Sequence, residues 1–304
     1  MIQKINLFKR LLNNFSRVFI FVMMNIDAVI TYVDMNDPVW MNSYSGIYST
    51  ISPMRFKSLG TIHLQIDCIR KFMSWINNIY VVVSNREQIS TDKAIVVTHD
   101  QIIPRELLPT FNSTTIEMYL HRIPNLSEYF IYFNDDTIPI NYVEQSAFYD
   151  KDKPQISFKF FSNPPCNKFR MRCKNSSDLA REIANLEPSS EYIHQDHICT
   201  IHKKSSHEYV WKVAKDKILS SLTRKRCEHN YNQYLFSDYL YYSKQCGNKK
   251  LNYIFINYNN ISSDHLYDLV ISQKYDFICV CDDVECTDNY NSKLIQALNK
   301  ILSK

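Results

Sequence analysis

The chain has 304 residues, 45% of them hydrophobic and 22% charged, which is typical of a globular protein long enough to bury a core. Its net charge is only +4 and no basic tract runs through it, so a nucleic-acid partner is not expected. Glycine occurs only at Gly46, Gly60 and Gly247, which excludes glycine-rich phosphate-binding loops of the Walker and dinucleotide-binding types. A bound nucleotide would therefore have to be held by side chains and a metal.

In chain order, residues 1–24 come first and form a separate segment, in which apolar residues recur at helical spacing beside basic ones. Its apolar stretch, Val18–Met24, is far shorter than the roughly 20 residues of a membrane span. No small-residue cleavage site follows, which argues against a signal peptide. Two interpretations stay open: a basic amphipathic helix in peripheral contact with a membrane surface, or a helix packed on the domain.

The first half of the chain then alternates predicted strands and helices. Apolar runs rich in β-branched or aromatic residues predict buried strands, and 3.6-residue periodicity predicts helices. The predicted strands are Ile26–Val33, Ile79–Val83, Ala94–Thr98 and Tyr129–Phe133, and the predicted helices are Leu59–Trp75 and Thr114–His121, the latter with Asn112 or Ser113 as N-cap. This alternation predicts an α/β fold with a mainly parallel, Rossmann-like sheet flanked by helices.

The second half is more polar and more helical. The predicted helices are Ser177–Asn185, Ser206–Leu219, Asn232–Ser243 and Asn291–Leu302, and the predicted strands are Phe158–Phe161 and Tyr275–Val280. The length fits one large α/β domain or two modest ones, and we expect this C-terminal half to contribute to the same site as the sheet.

Nine cysteines are scattered through the chain. No two of them form a CxxC pair, so a zinc knuckle is not expected. Because the count is odd and most of them lie in apolar or helical patterns, the sequence favours reduced, buried thiols and a reducing compartment.

Acidic residues follow three of the predicted strands, as Asp34 with Asp37, Asp135 with Asp136, and Asp282 with Asp283. Ligands of open α/β sheets bind beyond the carboxyl ends of the strands. Carboxylates gathered there would form a hard-oxygen site for Mg²⁺ or Mn²⁺, which neutralises charge on phosphoryl groups. A single pair is more simply explained as a cap of the next turn, but three pairs favour a site.

Basic and histidine side chains cluster in the second half. His194 and His197 are followed by His202 and His207. A histidine is the usual general base near neutral pH, whereas zinc binding by His194 and His197 lacks an evident third ligand. For any one of them a core or surface position is the default. The cluster Arg224–Arg226 is suited to phosphate clamping, although such a cluster alone is usually a solvated face.

Four blocks of the sequence, near residues 26–40, 55–136, 194–247 and 277–302, carry these motifs. The most specific stretch is Leu108–Asp136, LPTFNSTTIEMYLHRIPNLSEYFIYFNDD. In this order the blocks resemble the Stealth proteins, sugar-1-phosphate transferases that include bacterial capsule polymerases and the lysosomal-enzyme GlcNAc-1-phosphotransferase, and the similarity extends from residue 26 to the C-terminus. The resemblance implies a single Stealth-type catalytic domain over residues 25–304.

The resemblance also implies an activity. We expect transfer of a sugar-1-phosphate from a UDP-sugar to a hydroxyl of an oligosaccharide, polysaccharide or lipid-linked glycan, with Mg²⁺ or Mn²⁺ as cofactor and UMP as leaving group. The product would be a phosphodiester in capsule or surface polysaccharide. The expected location is cytoplasmic, with peripheral contact at the inner membrane through residues 1–24.

The residues that match the family's active positions are Glu117, Asp136, His197 and Arg226. By the same resemblance the expected metal ligands are Asp135 and Asp136, and the expected substrate-binding residues are Asp34, Asn36, Asp37, Asn112, Lys204, Asn232 and Gln233. We expect His197 to take the acceptor proton and Arg226 to balance charge on phosphoryl oxygens. Glu117 is expected to orient that histidine or to bind sugar hydroxyls.

The chain departs from the family where many members carry Glu-Leu-Arg-Tyr-Ser-Leu-Arg, since Thr61–Asp67 reads TIHLQID. The identity of the transferred sugar is therefore not predicted. Two alternatives stay open: a metal-dependent glycosyltransferase that releases UDP, and a non-catalytic sugar-binding relative. The joint presence of all four matched residues argues against loss of activity.

Overall fold

The computed structural model of the protein describes residues 24–51, 56, 58–257, 261–281 and 288–304. The predicted N-terminal segment lies outside the described residues except for Met24, and the Asp282–Asp283 pair lies outside them entirely. What was predicted for both stays a prediction. Within the described ranges, no helix is long and apolar enough to cross a membrane.

Strands and helices are mixed along the described part of the chain. The strands are β1 (Ile26–Thr31), β2 (Ile76–Val83), β3 (Ile95–Thr98), β4 (Tyr129–Asn134), β5 (Thr137–Pro139), β6 (Tyr149–Asp150), β7 (Lys153–Ile156), β8 (Phe158–Phe161), β9 (Tyr192–Gln195), β10 (Thr200–Lys203), β11 (Gly247–Asn248), β12 (Tyr253–Asn257) and β13 (Phe277–Cys281). The helices are α1 (Pro38–Ser45), α2 (Ile62–Phe72), α3 (His99–Ile102), α4 (Ser113–Tyr119), α5 (Lys168–Ile183), α6 (Lys204–Ser221), α7 (Tyr234–Tyr242), α8 (Ser263–Ser272) and α9 (Asp288–Ser303).

The main sheet has five strands in the order β10-β4-β1-β2-β3. β1 runs parallel to β2 and β4, β2 runs parallel to β3, and β10 runs antiparallel to β4. β1 is buried from Ile26 to Ile30, as expected of a strand covered on both faces of a sheet. This confirms the predicted α/β fold with a mainly parallel sheet flanked by helices.

The order of this sheet reverses at β1. From β1 the chain crosses to β2 and β3 on one side, and it then returns to β4 on the other side. The carboxyl ends of β1 and β4 therefore lie side by side, with Thr31 paired to Asn134. Such a reversal leaves a crevice beyond the strand ends, where open α/β sheets bind ligands.

A second sheet, ordered β12-β13-β5, carries the C-terminal part of the chain. β13 pairs in parallel with β12 and antiparallel with β5, so it does not extend the main sheet. Its apolar core is shared with α2, α8 and α9. The end of β13 still reaches the crevice, because the backbone N–H of Val280 donates to the carbonyl of Asp136 at 2.9 Å.

Helix caps explain two helix starts that the sequence patterns did not predict. The Asp37-Pro38 pair begins α1: the Asp37 side chain accepts hydrogen bonds from Val39 N and Trp40 N, and proline occupies the first turn. α5 begins at Lys168 rather than Ser177, because Asn167 caps it by accepting from Arg170 N. Further elements that the patterns did not predict are β9, β10, β12 and α8.

Asp238 on α7 is a buried carboxyl group with one polar contact. Its Oδ1 accepts a hydrogen bond from Gln195 Nε2 at 2.8 Å, and its buried Oδ2 has no partner among the described residues. Burial raises the pKa of this carboxyl well above its usual range, and the Gln195 hydrogen bond offsets only part of that effect. The folded protein therefore holds a proton that the unfolded chain releases above about pH 4.

We expect Asp238→Asn to stabilise the protein at alkaline pH. With a raised folded pKa, stability is full below the unfolded pKa and is lost as the pH rises toward the folded pKa, at about 1.4 kcal/mol for each unit of difference. The asparagine variant has no such loss. Urea unfolding of both proteins at pH 5 and pH 8 should show an advantage that grows with pH, and a constant difference would contradict the assignment.

Candidate active site

A cavity of about 650 Å³ opens beyond the carboxyl ends of β1 and β4. Both halves of the chain contribute to its wall, as the sequence predicted. The predicted site residues that line it are Glu117, Asp135, Asp136, His197, Arg226, Asn232 and Gln233. All four residues that match the family's active positions therefore meet in one place.

Gln65 holds the turn that carries Asp135 and Asp136 through two hydrogen bonds. This fully buried glutamine donates its Nε2 to the carbonyl of Asn134 at 2.8 Å and to the carbonyl of Thr137 at 2.7 Å, on either side of the acidic pair. Thr137 also donates its hydroxyl to Asp136 Oδ1 at 3.1 Å. The backbone carbonyls on either side of the acidic pair are thus satisfied internally, and both aspartates line the cavity.

His197 reaches the same carboxylate from the loop between β9 and β10. Its Nε2 lies 3.2 Å from Asp136 Oδ2, and its side chain is 34% exposed. The neighbouring Asp196 holds the loop, since its Oδ2 accepts from Ser157 Oγ at 2.6 Å. We call Asp135, Asp136 and His197 the acidic cluster.

Glu117 lies on α4, and burial raises the pKa of its carboxyl group. The positive charge of Arg226 and a hydrogen bond from the backbone N–H of Gln233, 2.9 Å from Oε2, act in the opposite direction and favour the ionised form. Arg226 donates to Ser113 Oγ at the start of the same helix. Its guanidinium is thereby anchored next to Glu117 while it lines the cavity.

Arg172 on α5 lines the cavity too, and it is not among the site residues predicted from the sequence. It is 7% exposed, and within the described part of the chain it forms no salt bridge. Burial lowers its pKa, and the like charge of Arg226 acts in the same direction. A buried guanidinium in this situation favours an anionic ligand. We call Glu117, Arg172 and Arg226 the guanidinium cluster.

A helical pattern in the sequence could have revealed Arg172. Cys173, Ser176 and Ala180 are buried on α5 and repeat at helical spacing, which places Arg172 at the edge of the buried face. The helix predicted from the sequence begins only at Ser177, so Arg172 lies outside it.

The pKa of the Tyr132 hydroxyl is affected by charged groups of both clusters. Its hydroxyl lies at the end of β4, 2.9 Å from Thr31 Oγ1, and it donates to Asn134 Oδ1 at 3.0 Å. Burial raises the pKa of this phenol well above its usual value, and the charges of Glu117 and Asp135 add to the effect. Both carboxylates therefore act on one buried hydroxyl beneath the cavity.

Two predicted substrate-binding residues hold the frame of the site instead of lining the cavity. Asp37 caps α1 and also accepts from Asn85 Nδ2 at 2.6 Å. Asn112 is fully buried, caps α4 and donates its Nδ2 to the carbonyl of Thr223 at 3.0 Å and to Asn230 Oδ1 at 3.1 Å. These contacts position the loop that carries Arg226.

The other predicted substrate-binding residues divide between the cavity and its surroundings. Asn232 lines the cavity, and its Oδ1 accepts from Ser176 Oγ at 2.9 Å. Asp34 and Asn36 lie in the turn after β1, where Asn36 N donates to Asp34 Oδ1, and neither lines the cavity formed by the described residues. Lys204 lies at the opposite end of the sheet, because its N–H donates to Glu128, just before β4 begins.

The described residues include one group suited to a metal ion. Ligand atoms of Asp136, His197 and Cys279 all lie within 4.8 Å of one another. The carboxylate and the adjacent Asp135 suit Mg²⁺ or Mn²⁺, whereas the cysteine sulfur is a soft ligand that these ions do not favour. The arrangement is compatible with a divalent metal held by the acidic cluster.

Comparisons with known proteins identify relatives of this chain. Residues 55–157 match the family model described as Stealth protein CR2, conserved region 2. The capsular polysaccharide phosphotransferase of Actinobacillus suis is 31% identical over 68% of this chain and 61% of that protein, and that of Neisseria meningitidis serogroup B is 30% identical over 67% and 60%. The chain thus spans less than two thirds of the length of these two relatives.

Longer matches also exist. The capsular polysaccharide phosphotransferase WcwK of Streptococcus pneumoniae is 28% identical over 92% of this chain and 98% of that protein. Among solved structures, the galactosyltransferase LgtC in complex with donor and acceptor sugar analogues matches 90% of this chain with a TM-score of 0.44 and 11% identity. The sequence matches, which include the second conserved region, show that the chain belongs to the Stealth family.

Proposed function

We propose that the chain transfers a sugar-1-phosphate from a UDP-sugar to a hydroxyl of a glycan acceptor and releases UMP, with Mg²⁺ or Mn²⁺ at the acidic cluster. The observation that carries this proposal is the meeting of two oppositely charged groups in one cavity. The acidic cluster can hold a cation, and the guanidinium cluster can hold an anion. A diphosphate needs both, because its charge is balanced by a metal and by fixed guanidinium donors.

The residues would act as follows. Asp135 and Asp136 would hold the cation, which supplies electrostatic stabilisation to the phosphate oxygens when bound. Arg226 and Arg172 would bind the phosphoryl oxygens of the donor and favour the charge that develops on them. Glu117, held by Gln233 N and facing Arg226, would keep that guanidinium in place.

His197 would act on the acceptor. The acceptor oxygen forms a bond to the phosphorus that carries the sugar, the bond from that phosphorus to the bridging oxygen breaks, and UMP leaves with the bridging oxygen. The hydroxyl proton passes to the imidazole of His197. Asp136, 3.2 Å from His197 Nε2, would stabilise the imidazolium that forms.

Phe255 on β12 gives the cavity an exposed aromatic face next to this histidine. The ring is 46% exposed, lines the cavity, and meets the His197 ring edge to face with centroids 5.8 Å apart. An acceptor sugar that stacks on this ring would bring a hydroxyl close to His197. Phe255→Ala should therefore raise the acceptor KM about tenfold, as expected for a lost apolar contact of about 1.4 kcal/mol.

Steady-state kinetics with acceptor and donor varied separately would check the Phe255 prediction. The matched control is Phe255→Trp, which keeps an aromatic face and should keep the acceptor KM near that of the parent protein. A rise in the donor KM alone would show that the ring belongs to the donor side.

The reaction type is tested by the nucleotide that is released. The purified protein is incubated with a panel of UDP-sugars, an oligosaccharide or lipid-linked acceptor and Mg²⁺. UMP that disappears on addition of EDTA is the expected result. Release of UDP would mean that the acceptor attacks the sugar carbon, as in a glycosyltransferase, and the proposal would be wrong.

The product of the reaction and the contact with a membrane stay predictions. Capsule or surface polysaccharide is the expected product, because the related proteins are capsular polysaccharide phosphotransferases. Peripheral contact of residues 1–24 with a membrane is part of the same prediction, and it fits a lipid-linked acceptor.

A further inference from the structure

Two histidines behind the cavity have no part in the reaction described above. His202 on β10 and His207 on α6 are both fully buried. The His202 ring stacks on Phe130 with centroids 5.3 Å apart, and the His207 ring stacks on Phe236 at 3.5 Å. Neither lines the cavity formed by the described residues.

These histidines lead to the cavity through a chain of short hydrogen bonds. His207 Nε2 lies 3.1 Å from His202 Nδ1, and His202 Nε2 lies 2.7 Å from Gln233 Oε1. Gln233 lines the cavity, and its backbone N–H is the donor to Glu117. Gln233 is thus held at two points. Its side-chain oxygen is bonded to His202 in the core, and its backbone N–H is bonded to Glu117 of the guanidinium cluster.

Both rings are neutral at physiological pH. Burial lowers the pKa of His202 to about 4, although the Gln233 hydrogen bond acts in the opposite direction. Burial lowers the pKa of His207 well below its usual value, and the charges that His202 and His121 would carry lower it further. Each ring therefore has one N–H donor and one bare nitrogen.

The carboxamide oxygen of Gln233 determines which atom donates in each of the two hydrogen bonds. This oxygen can only accept, so His202 Nε2 must carry the proton. His202 Nδ1 is then the acceptor, and His207 Nε2 must donate to it. Each hydrogen bond is therefore donated in the same direction, from His207 to His202 and from His202 to Gln233. We call these two hydrogen bonds the relay, although no proton is transferred along them.

The reverse orientation is disfavoured by a buried nitrogen. If Gln233 turned its Nε2 toward His202, the proton of His202 would lie on Nδ1 and that of His207 on Nδ1 as well. His207 Nδ1 is buried and has no hydrogen-bond partner among the described residues. In the observed orientation the same nitrogen is a bare acceptor and is also unpaired within the described ranges. Buried N–H groups without an acceptor are rarer in proteins than buried acceptors without a donor, so the observed orientation is preferred.

We propose that His202 and His207 are positioning residues that hold the Gln233 carboxamide with its NH₂ group toward the cavity, as a donor to an anionic oxygen of the bound diphosphate. The identity of that ligand rests on the proposed function. A neutral relay achieves this without adding charge beside Arg226. A carboxamide turned the other way would present its oxygen to the phosphate and repel it.

The proposal is tested first by binding of UDP in the presence of Mg²⁺, measured by calorimetry on the full chain. Gln233→Leu should weaken binding about tenfold, and Gln233→Glu should weaken it further because a carboxylate then faces the diphosphate. His202→Phe keeps a ring on Phe130 and should match Gln233→Leu. The double variant His202→Phe/Gln233→Leu should bind no more weakly than Gln233→Leu alone, whereas additive losses would overturn the relay.

A second measurement needs no variant. ¹⁵N-labelled histidine spectra of the parent protein should show His202 and His207 as neutral rings protonated at Nε2 at pH 7, without titration above pH 5. His202 protonated at Nδ1 would overturn the relay even if UDP binds. Conversely, the expected protonation states in a chain that does not bind UDP would contradict the donor contact and the proposed function, and the orientation of Gln233 would stand.

Discussion

Replacing Asp136 with asparagine is expected to lower kcat about a thousandfold with little effect on folding. The substitution removes a charge that would hold the cation, and it removes the partner of His197 Nε2. Loss of a cation that stabilises charge on phosphoryl oxygens is worth several kcal/mol, and each 1.4 kcal/mol is about tenfold in rate. Asparagine keeps the size of the side chain and an oxygen that can accept from Thr137.

The Asp136 prediction is measured by turnover and by Mn²⁺ affinity, followed through the paramagnetic signal of the free ion. Both should fall together, and excess metal should restore only part of the activity. Asp264→Asn is the matched control, because that carboxylate is 79% exposed and pairs only with Lys293 in the described part of the chain. Turnover within tenfold of the parent protein would rule out the metal role.

Replacing His197 with glutamine should lower kcat by about 10²- to 10⁴-fold, the usual contribution of a general base. UDP binding in the presence of Mg²⁺ should be unchanged, because the base acts on the acceptor. A kcat within tenfold of that of the parent protein would contradict the role of base.

The geometry around His197 defines a sharp alternative for the same residue. Ligand atoms of His197, Asp136 and Cys279 lie within 4.8 Å of one another, so the imidazole could bind the cation instead of the acceptor proton. In that case His197→Gln would weaken Mn²⁺ and UDP binding as strongly as it lowers kcat. Cys279→Ser separates the contribution of the sulfur, which should be small for Mg²⁺ and Mn²⁺.

Local patterns were sufficient to predict β4, which positions Asp135 and Asp136, and its neighbour β1. The run Tyr129–Phe133 is apolar and aromatic and is followed at once by Asp135 and Asp136, so both the strand and the polar end are visible in one window. β1 is a comparable case. A buried parallel strand needs only a short apolar run, which is why these predictions were confirmed.

Patterns failed where a local signal has two meanings. The pair Asp37-Pro38 is compatible both with a turn and with the start of a helix. Only the hydrogen bonds from Val39 N and Trp40 N to the Asp37 side chain identify it as the start of a helix. The strands β9, β10 and β12 are only four or five residues long and contain polar side chains. Their stability comes from pairing with distant segments, which no sequence window contains.

By itself the sequence determined the fold class, the family and the acidic pair Asp135 and Asp136 that follows β4, because each depends on a contiguous pattern of residue types. Only the tertiary structure decided that Arg172 joins Arg226 at Glu117, that Asn112 holds a loop, and that His202 orients Gln233. These partners lie far apart in the chain and meet through packing of α5, α4 and β10 around one cavity. These contacts depend on distances between side chains in space, and the periodicity of residue types along the chain does not contain that information.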